Sequence, residues 1–289
     1  MNKKYLNILL TVASFLLIII CLQNSSVISK SVLESSIIFI TKVFPFLFIM
    51  MMINSILICA NFPYLLSKII ANPYVYIFIM SALSGSPVNA IIIRDFIKKK
   101  IITEKQASIA ISFTTLNNPL FLYNYINLIF KNQYITIKLL SIIYISNISL
   151  LIWYSYKEKN SKYILPYNKT NIQKDFINSF TSTINNLINI FAIITFFKLI
   201  CDLLITSTTP LSSLIKGLIE ITQGLNDISL ASYISIIKEL LLIVILSFAG
   251  FSIHIQISNI LNDYNVNYKY FYYSRLVLII IGTILVIMF

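Results

Sequence analysis

Residues 73–96 form an apolar run long enough to cross a bilayer, yet the middle of that run reads Ser84-Gly85-Ser86-Pro87-Val88-Asn89-Ala90. Proline removes a backbone donor and clashes with the preceding turn. Glycine carries the highest conformational cost of any ordinary helix residue. In lipid, the freed backbone groups must bond to protein or line a water-filled cavity. The design recurs. Residues 107–130 are interrupted by Thr114-Thr115-Leu116-Asn117-Asn118-Pro119, and residues 210–230 by Lys216-Gly217-Leu218-Ile219-Glu220-Ile221-Thr222-Gln223-Gly224. Residues 233–261 are interrupted by Ser247-Phe248-Ala249-Gly250-Phe251-Ser252-Ile253-His254-Ile255-Gln256. One break can be a packing kink; repeated polar breaks read as the wall of a site. Four of the chain's five glycines, Gly85, Gly217, Gly224 and Gly250, fall in these interruptions, although glycine also serves close helix packing.

The surrounding composition sets the class. The chain has 289 residues, 58% hydrophobic and 11% charged, against about 25% charged in average soluble proteins. So much apolar surface cannot be hidden in a soluble fold of this size, so the expected class is an all-α polytopic membrane protein with the lipid bilayer as its surroundings. The net charge of +12 lies mostly between the apolar segments and reads as a topology signal, because cytoplasmic loops are rich in Lys and Arg. No basic helix or aromatic-interleaved basic patch points to nucleic acid. Cys21, Cys59 and Cys201 sit inside apolar segments and read as small core residues. Phosphate-loop, zinc and nucleophile-elbow motifs are absent, so neither an enzyme nor a cofactor or metal is expected.

Taken in order, residues 5–22 read as a first anchoring span and residues 25–42 as an amphipathic interfacial helix. A span follows over 43–60, then the broken segments 73–96 and 107–130, and an unbroken span over 134–154. Residues 155–175 carry five lysines and Pro166 and read as a cytoplasmic linker. Residues 176–186 read as a second interfacial stretch, 187–205 as a span, 210–230 and 233–261 as broken segments, and 271–289 as the last span. The division is an N-terminal region (1–42), a first repeat (43–154), the linker, and a second repeat (176–289). With the basic loops on one side, the halves enter from opposite faces. That is an inverted-topology repeat of about seven transmembrane helices and two re-entrant hairpins, a plan that places a transporter's site at midplane between repeats.

The motifs also resemble a known family. Ser84-Gly85-Ser86-Pro87-Val88-Asn89-Ala90 is similar to the Gly-Tyr-Pro-x-Gly-Ala hairpin of gate-type "nucleoside recognition" membrane domains. Glu220-Ile221-Thr222-Gln223-Gly224 and the segment from Ser247 to Gln256 resemble the Glu-x-Thr-x-Gly and Phe-Gly-Gly-x-Ser-x-His-x-Gln segments of the YlbJ/SpoVV type of sporulation integral membrane proteins. The resemblance covers about residues 43–261. It implies a role in endospore formation, and passage of dipicolinate across the outer forespore membrane from the mother cell towards the spore. Asn89 stands where the family usually has glycine, no Lys follows Ala90, and Asn118 precedes Pro119 where a glycine is usual.

The chemistry of the breaks fits such a solute. A broken helix points N–H groups and a positive dipole end into the gap, which favours an anion. In the first half the candidate substrate-binding residues are Ser84, Gly85, Ser86, Pro87 and Asn89, with Asn117 and Asn118. In the second half they are Glu220, Thr222 and Gly224, with Gly250, Ser252, His254 and Gln256. His254, the chain's single histidine, can carry a proton or meet a carboxylate, or be held neutral between helices. Glu220 can be protonated, pair with Lys216 four residues earlier, or act as a proton-coupling group; intramembrane acids usually mark a pathway. Lys198 and Asp202 have the spacing of a within-helix pair, and Lys238 and Glu239 the position of headgroup contacts. The expected function is transport of a small organic anion, with dipicolinate implied by the resemblance and with a coupling proton or cation. A non-transporting sporulation assembly factor and a nucleoside-type carrier are the alternatives.

Overall fold

The computed structural model describes residues 3–70, 72–157, 165, 167 and 172–289. Among these residues the chain forms helices and no strand. Helix α1 spans Lys3–Gln23, and α2 (Ser25–Ile38) runs into α3 (Phe44–Cys59) through the π turn Phe39–Val43. Then come α4 (Phe62–Ile69), α5 (Pro73–Ser84), α6 (Val88–Lys98), α7 (Glu104–Thr114), α8 (Pro119–Phe130) and α9 (Gln133–Lys157). The second half comprises α10 (Ile172–Leu204), α11 (Pro210–Ile219), α12 (Ile221–Leu230), α13 (Ser235–Phe248), α14 (Phe251–Ile260) and α15 (Lys269–Met288). The order of elements recurs. From α3 to α9 and from α10 to α15, each stretch has a long helix, two pairs of shorter helices and a closing long helix, with α4 additional in the first.

Local sequence sets these boundaries. Pro73, Pro119 and Pro210 open α5, α8 and α11, where a missing N–H costs nothing. Asn72, Thr103, Asn118 and Thr209 cap the helices that follow by accepting from backbone N–H groups of the first turn. Among the described residues five helical runs are long and apolar enough to cross a membrane: Ser25–Cys59, Gln133–Lys157, Phe176–Leu204, Ser235–Ile260 and Lys269–Met288. The protein is therefore an all-helical membrane protein. Isoleucines and aromatics such as Ile145, Ile152, Trp153, Tyr273 and Ile280 point outward, towards lipid. Helices α5 and α11 have 12 and 10 residues, about 18 and 15 Å at 1.5 Å per residue. Neither spans a hydrocarbon core of about 30 Å by itself.

The sequence expectation of a separate interfacial helix over residues 25–42 is corrected. Residues 25–42 continue into α3, and residues 176–186 lie inside α10. The polar face of α2 is a helix–helix seam against residues 195–202 of α10, while Asn178, Thr181, Ser182 and Asn185 of the 176–186 stretch stay exposed. Ser31 Oγ donates to Asp202 Oδ2 (2.6 Å), Ser35 Oγ to Thr195 Oγ1 (3.0 Å), and Lys198 joins Asp202 (2.8 Å) and Glu34 (2.9 Å). Interhelical hydroxyl bonds of this kind hold membrane helices together where the hydrophobic effect cannot. The Lys198–Asp202 pair is thus present and reaches further than one helix. Glu239, expected among headgroups, is buried on α13 and paired with Lys138 of α9 at 2.8 Å. The linker 155–175 lies largely outside the described residues. Within it Leu165 is buried and its N–H donates to Ser67 Oγ of α4 (3.0 Å).

Candidate solute site at the helix breaks

In the first half, two breaks are clasped together. Gly85 follows α5 with φ +79° and ψ 175°, a region essentially restricted to glycine. A Cβ there would lie 2.8 Å from the Asn118 backbone nitrogen. The next residue continues the contact: Ser86 donates to the Leu116 carbonyl through its N–H (2.9 Å) and its hydroxyl (3.2 Å). Asn89 Nδ2 reaches Thr115 Oγ1 at 3.0 Å. The coil between α7 and α8 is thereby bonded from the side, and Tyr144 of α9 adds a hydroxyl bond to the Asn117 carbonyl (2.9 Å).

The second half repeats the arrangement with glycine in the other partner. Gly250, between α13 and α14, has φ +56°, and a Cβ there would lie 3.2 Å from Ile221 Cγ1 and 3.4 Å from the Ile221 nitrogen. The break between α11 and α12 is a single residue, Glu220, in extended conformation. Its carboxylate caps α12, accepting from the Gln223 N–H (3.1 Å) and from the Thr222 hydroxyl. The Lys216 pairing open from sequence is not made. Lys216 Nζ turns to Asp227 Oδ2 at 2.9 Å, and among the described residues no cation is paired with Glu220.

All four breaks meet at one cavity of about 40 Å³. Ser86 and Pro87 come from the first break, Asn117 from the second, Glu220 and Thr222 from the third, and Ser252 and Gln256 from the turn after the fourth. Val43, Leu47, Ile190 and Ile194 of the two long helices close its apolar side. The volume holds a water-sized occupant. The lining residues from the breaks lie at or next to the first turns of α6, α8, α12 and α14, so four helix N-termini face one small volume. Among the described residues no lysine, arginine or histidine lines it. Ser252 Oγ is buried there without a hydrogen-bond partner.

Seven of the residues singled out from sequence therefore line the cavity: Ser86, Pro87, Asn117, Glu220, Thr222, Ser252 and Gln256. Six of the others support it. Ser84 donates to the Met80 carbonyl and accepts from Asn54, while Asn118 caps α8 by accepting from the Phe121 N–H (2.7 Å). Gly85 and Gly250 are the clasps and Asn89 is bonded between breaks. Gly224 packs against the Gly217 backbone where α11 and α12 cross, so these two glycines serve close packing and do not open the helix. His254 points away from the cavity. Its Nε2 bonds the Phe248 carbonyl at 2.8 Å, and its ring lies among Phe248, Phe251, Phe271 and Tyr272.

Sequence reasoning missed Arg275. It is almost completely buried on α15 and donates to the carbonyls of Ser112, Thr115 and Ser247. It thereby caps the C-terminal ends of α7 and α13, the helices that precede the second and fourth breaks. A lone charge inside an apolar span was the available signal. Asn54 and Tyr144, which brace the first-half breaks, carried no such mark.

Against known proteins, the chain is 24% identical to the sporulation integral membrane protein YlbJ of Bacillus subtilis (strain 168) over 244 residues, with 70% of this chain and 60% of that protein covered. The match thus spans less than two thirds of that relative's length. No family model matches the chain, and no solved structure matches it.

Proposed function

We propose that the protein is a carrier for a small organic anion in the membrane of a sporulating bacterium, with dipicolinate as the solute and the outer forespore membrane as its place of work. The convergence of four helix N-termini on one cavity that holds an unpartnered buried hydroxyl carries this reading. Each N-terminus favours a negative charge by about 0.3–1 kcal/mol, and by up to about 2 kcal/mol when partly buried. Termini from two sides suit a solute with two carboxylates. The name of the similar protein supports sporulation and an integral membrane location. In this reading the recurring halves are gate-type repeats of opposite orientation. The hairpins α5/α6 and α11/α12 are re-entrant, and α1 and the α7/α8 pair complete seven crossings. A cavity of about 40 Å³ is too small for an aromatic dicarboxylate, so the solute enters when the halves part, as alternating access requires.

Deleting the gene in its own spore-forming host tests the reading. Normal dipicolinate synthesis in the mother cell with none in the spore is the expected result; spores with wild-type content overturn it. The absence of a lining cation, together with the Gln256 amide and the Glu220 carboxylate, favours nucleosides as the competing solute class. Uptake of labelled dipicolinate into vesicles, challenged with unlabelled uridine, decides between them: competition by uridine would favour the nucleoside reading.

A further inference from the structure

Resting on the anion-carrier reading, we infer that Glu220 is the anion that the empty site holds for itself, and that entry of a solute carboxylate is coupled to uptake of one proton by Glu220. The carboxylate already occupies the donors that a solute would use at the start of α12, the Gln223 N–H and the Thr222 hydroxyl. It is buried, in a cavity without a cation. Two carboxylates in so small and poorly screened a volume repel, and a pair sharing one site holds one proton between them.

Among the described residues no neighbouring group relieves that repulsion. Tyr125 of α8 and Cys201 of α10 are the titratable side chains within electrostatic reach of Glu220 from the packed helices. The nearby cations are engaged elsewhere: Lys216 with Asp227, Lys198 with Asp202 and Glu34, and Lys42 with Asn226. From α14, Ser252 and Gln256 are neutral and His254 is turned to the Phe248 carbonyl. The proton therefore goes to a Glu220 carboxylate oxygen, which becomes a donor. The Gln223 N–H it releases donates to the incoming carboxylate. Solute and proton move together, and binding strengthens as pH falls.

Purified full-length protein in vesicles carrying an internal pH dye, with dipicolinate as the probe, tests this. An inward gradient of one pH unit raises accumulation by about tenfold for one proton per solute, and the dye reports acidification with uptake. Glu220→Gln keeps an oxygen for the cap and removes the charge. It is expected to exchange labelled for unlabelled dipicolinate while losing both gradient-driven accumulation and the pH dependence of binding. Glu220→Asp, which retains an acid, is expected to keep coupling and serves if the amide variant does not fold. Gradient-driven accumulation that persists in Glu220→Gln overturns the coupling alone. A wild-type protein that moves no dipicolinate at any pH overturns the carrier reading as well.

Discussion

Arg275 donates through Nη1 to the carbonyl oxygen of Thr115 at 2.8 Å, tying the last helix of the chain to the break between α7 and α8. The same guanidinium reaches the Ser247 carbonyl at 3.3 Å and, through Nη2, the Ser112 carbonyl. One side chain of the second half thus satisfies backbone acceptors freed in both halves. An unmade bond to a buried acceptor costs about 1–3 kcal/mol. Arg275→Met is therefore expected to lower stability by about 3 kcal/mol or more, read as a fall in the thermal midpoint by circular dichroism in detergent. Lysine, with a single point charge and no fork, is expected to recover only part of the loss.

The two clasping glycines predict a ranked pair of substitutions. At Gly85 a methyl group meets backbone, the Asn118 nitrogen at 2.8 Å, whereas at Gly250 the nearest atom is the Ile221 side chain at 3.2 Å. Both backbones also have positive φ, worth about 1–3 kcal/mol of strain in a residue with a side chain. Gly85→Ala is expected to destabilise more than Gly250→Ala in matched thermal unfolding.

The buried pair Lys138–Glu239 predicts strong non-additivity. Removing one member leaves a charge stranded between α9 and α13, a loss of about 3–5 kcal/mol, while removing both is close to neutral. A double-mutant cycle with Lys138→Met and Glu239→Met, followed by unfolding in detergent, is expected to show the double variant more stable than either single one.

Ser252 separates binding from folding. Its hydroxyl has no partner among the described residues, so Ser252→Ala is expected to leave stability unchanged or improved. If the hydroxyl bonds a carboxylate of the solute, its loss weakens binding by about 1.5–3 kcal/mol, or roughly 10- to 100-fold in Kd. His254→Gln is expected to do the opposite, lowering stability while leaving dipicolinate affinity within about twofold, because its Nε2 serves the Phe248 carbonyl. Titration calorimetry on the two variants checks both.

The four breaks were legible because proline, glycine and polar residues leave a clear mark in an apolar run. Their pairing was not. Gly85 and Asn118 are 33 positions apart and meet through backbone atoms, so no side-chain pattern announces the contact. Facing was equally hidden: Ser252 and His254 are two residues apart on α14, about 200° around a helix, and only the docked position of α14 decides which one enters the cavity. The serine-bearing face of α2 was misread as interfacial because a polar stripe looks the same whether it meets headgroups or another helix.

At the crossing of α11 and α12, Gly217 and Gly224 bring the two main chains so close that a methyl on Gly224 would overlap the Gly217 Cα. Helices in such contact cannot scissor. If the α11/α12 hairpin is the gate, it swings as one stiff paddle, with its pivots in the segments on either side, at 205–209 and 231–234. In the same picture the α5/α6 tip, wedged against Asn118, would carry α8 with it.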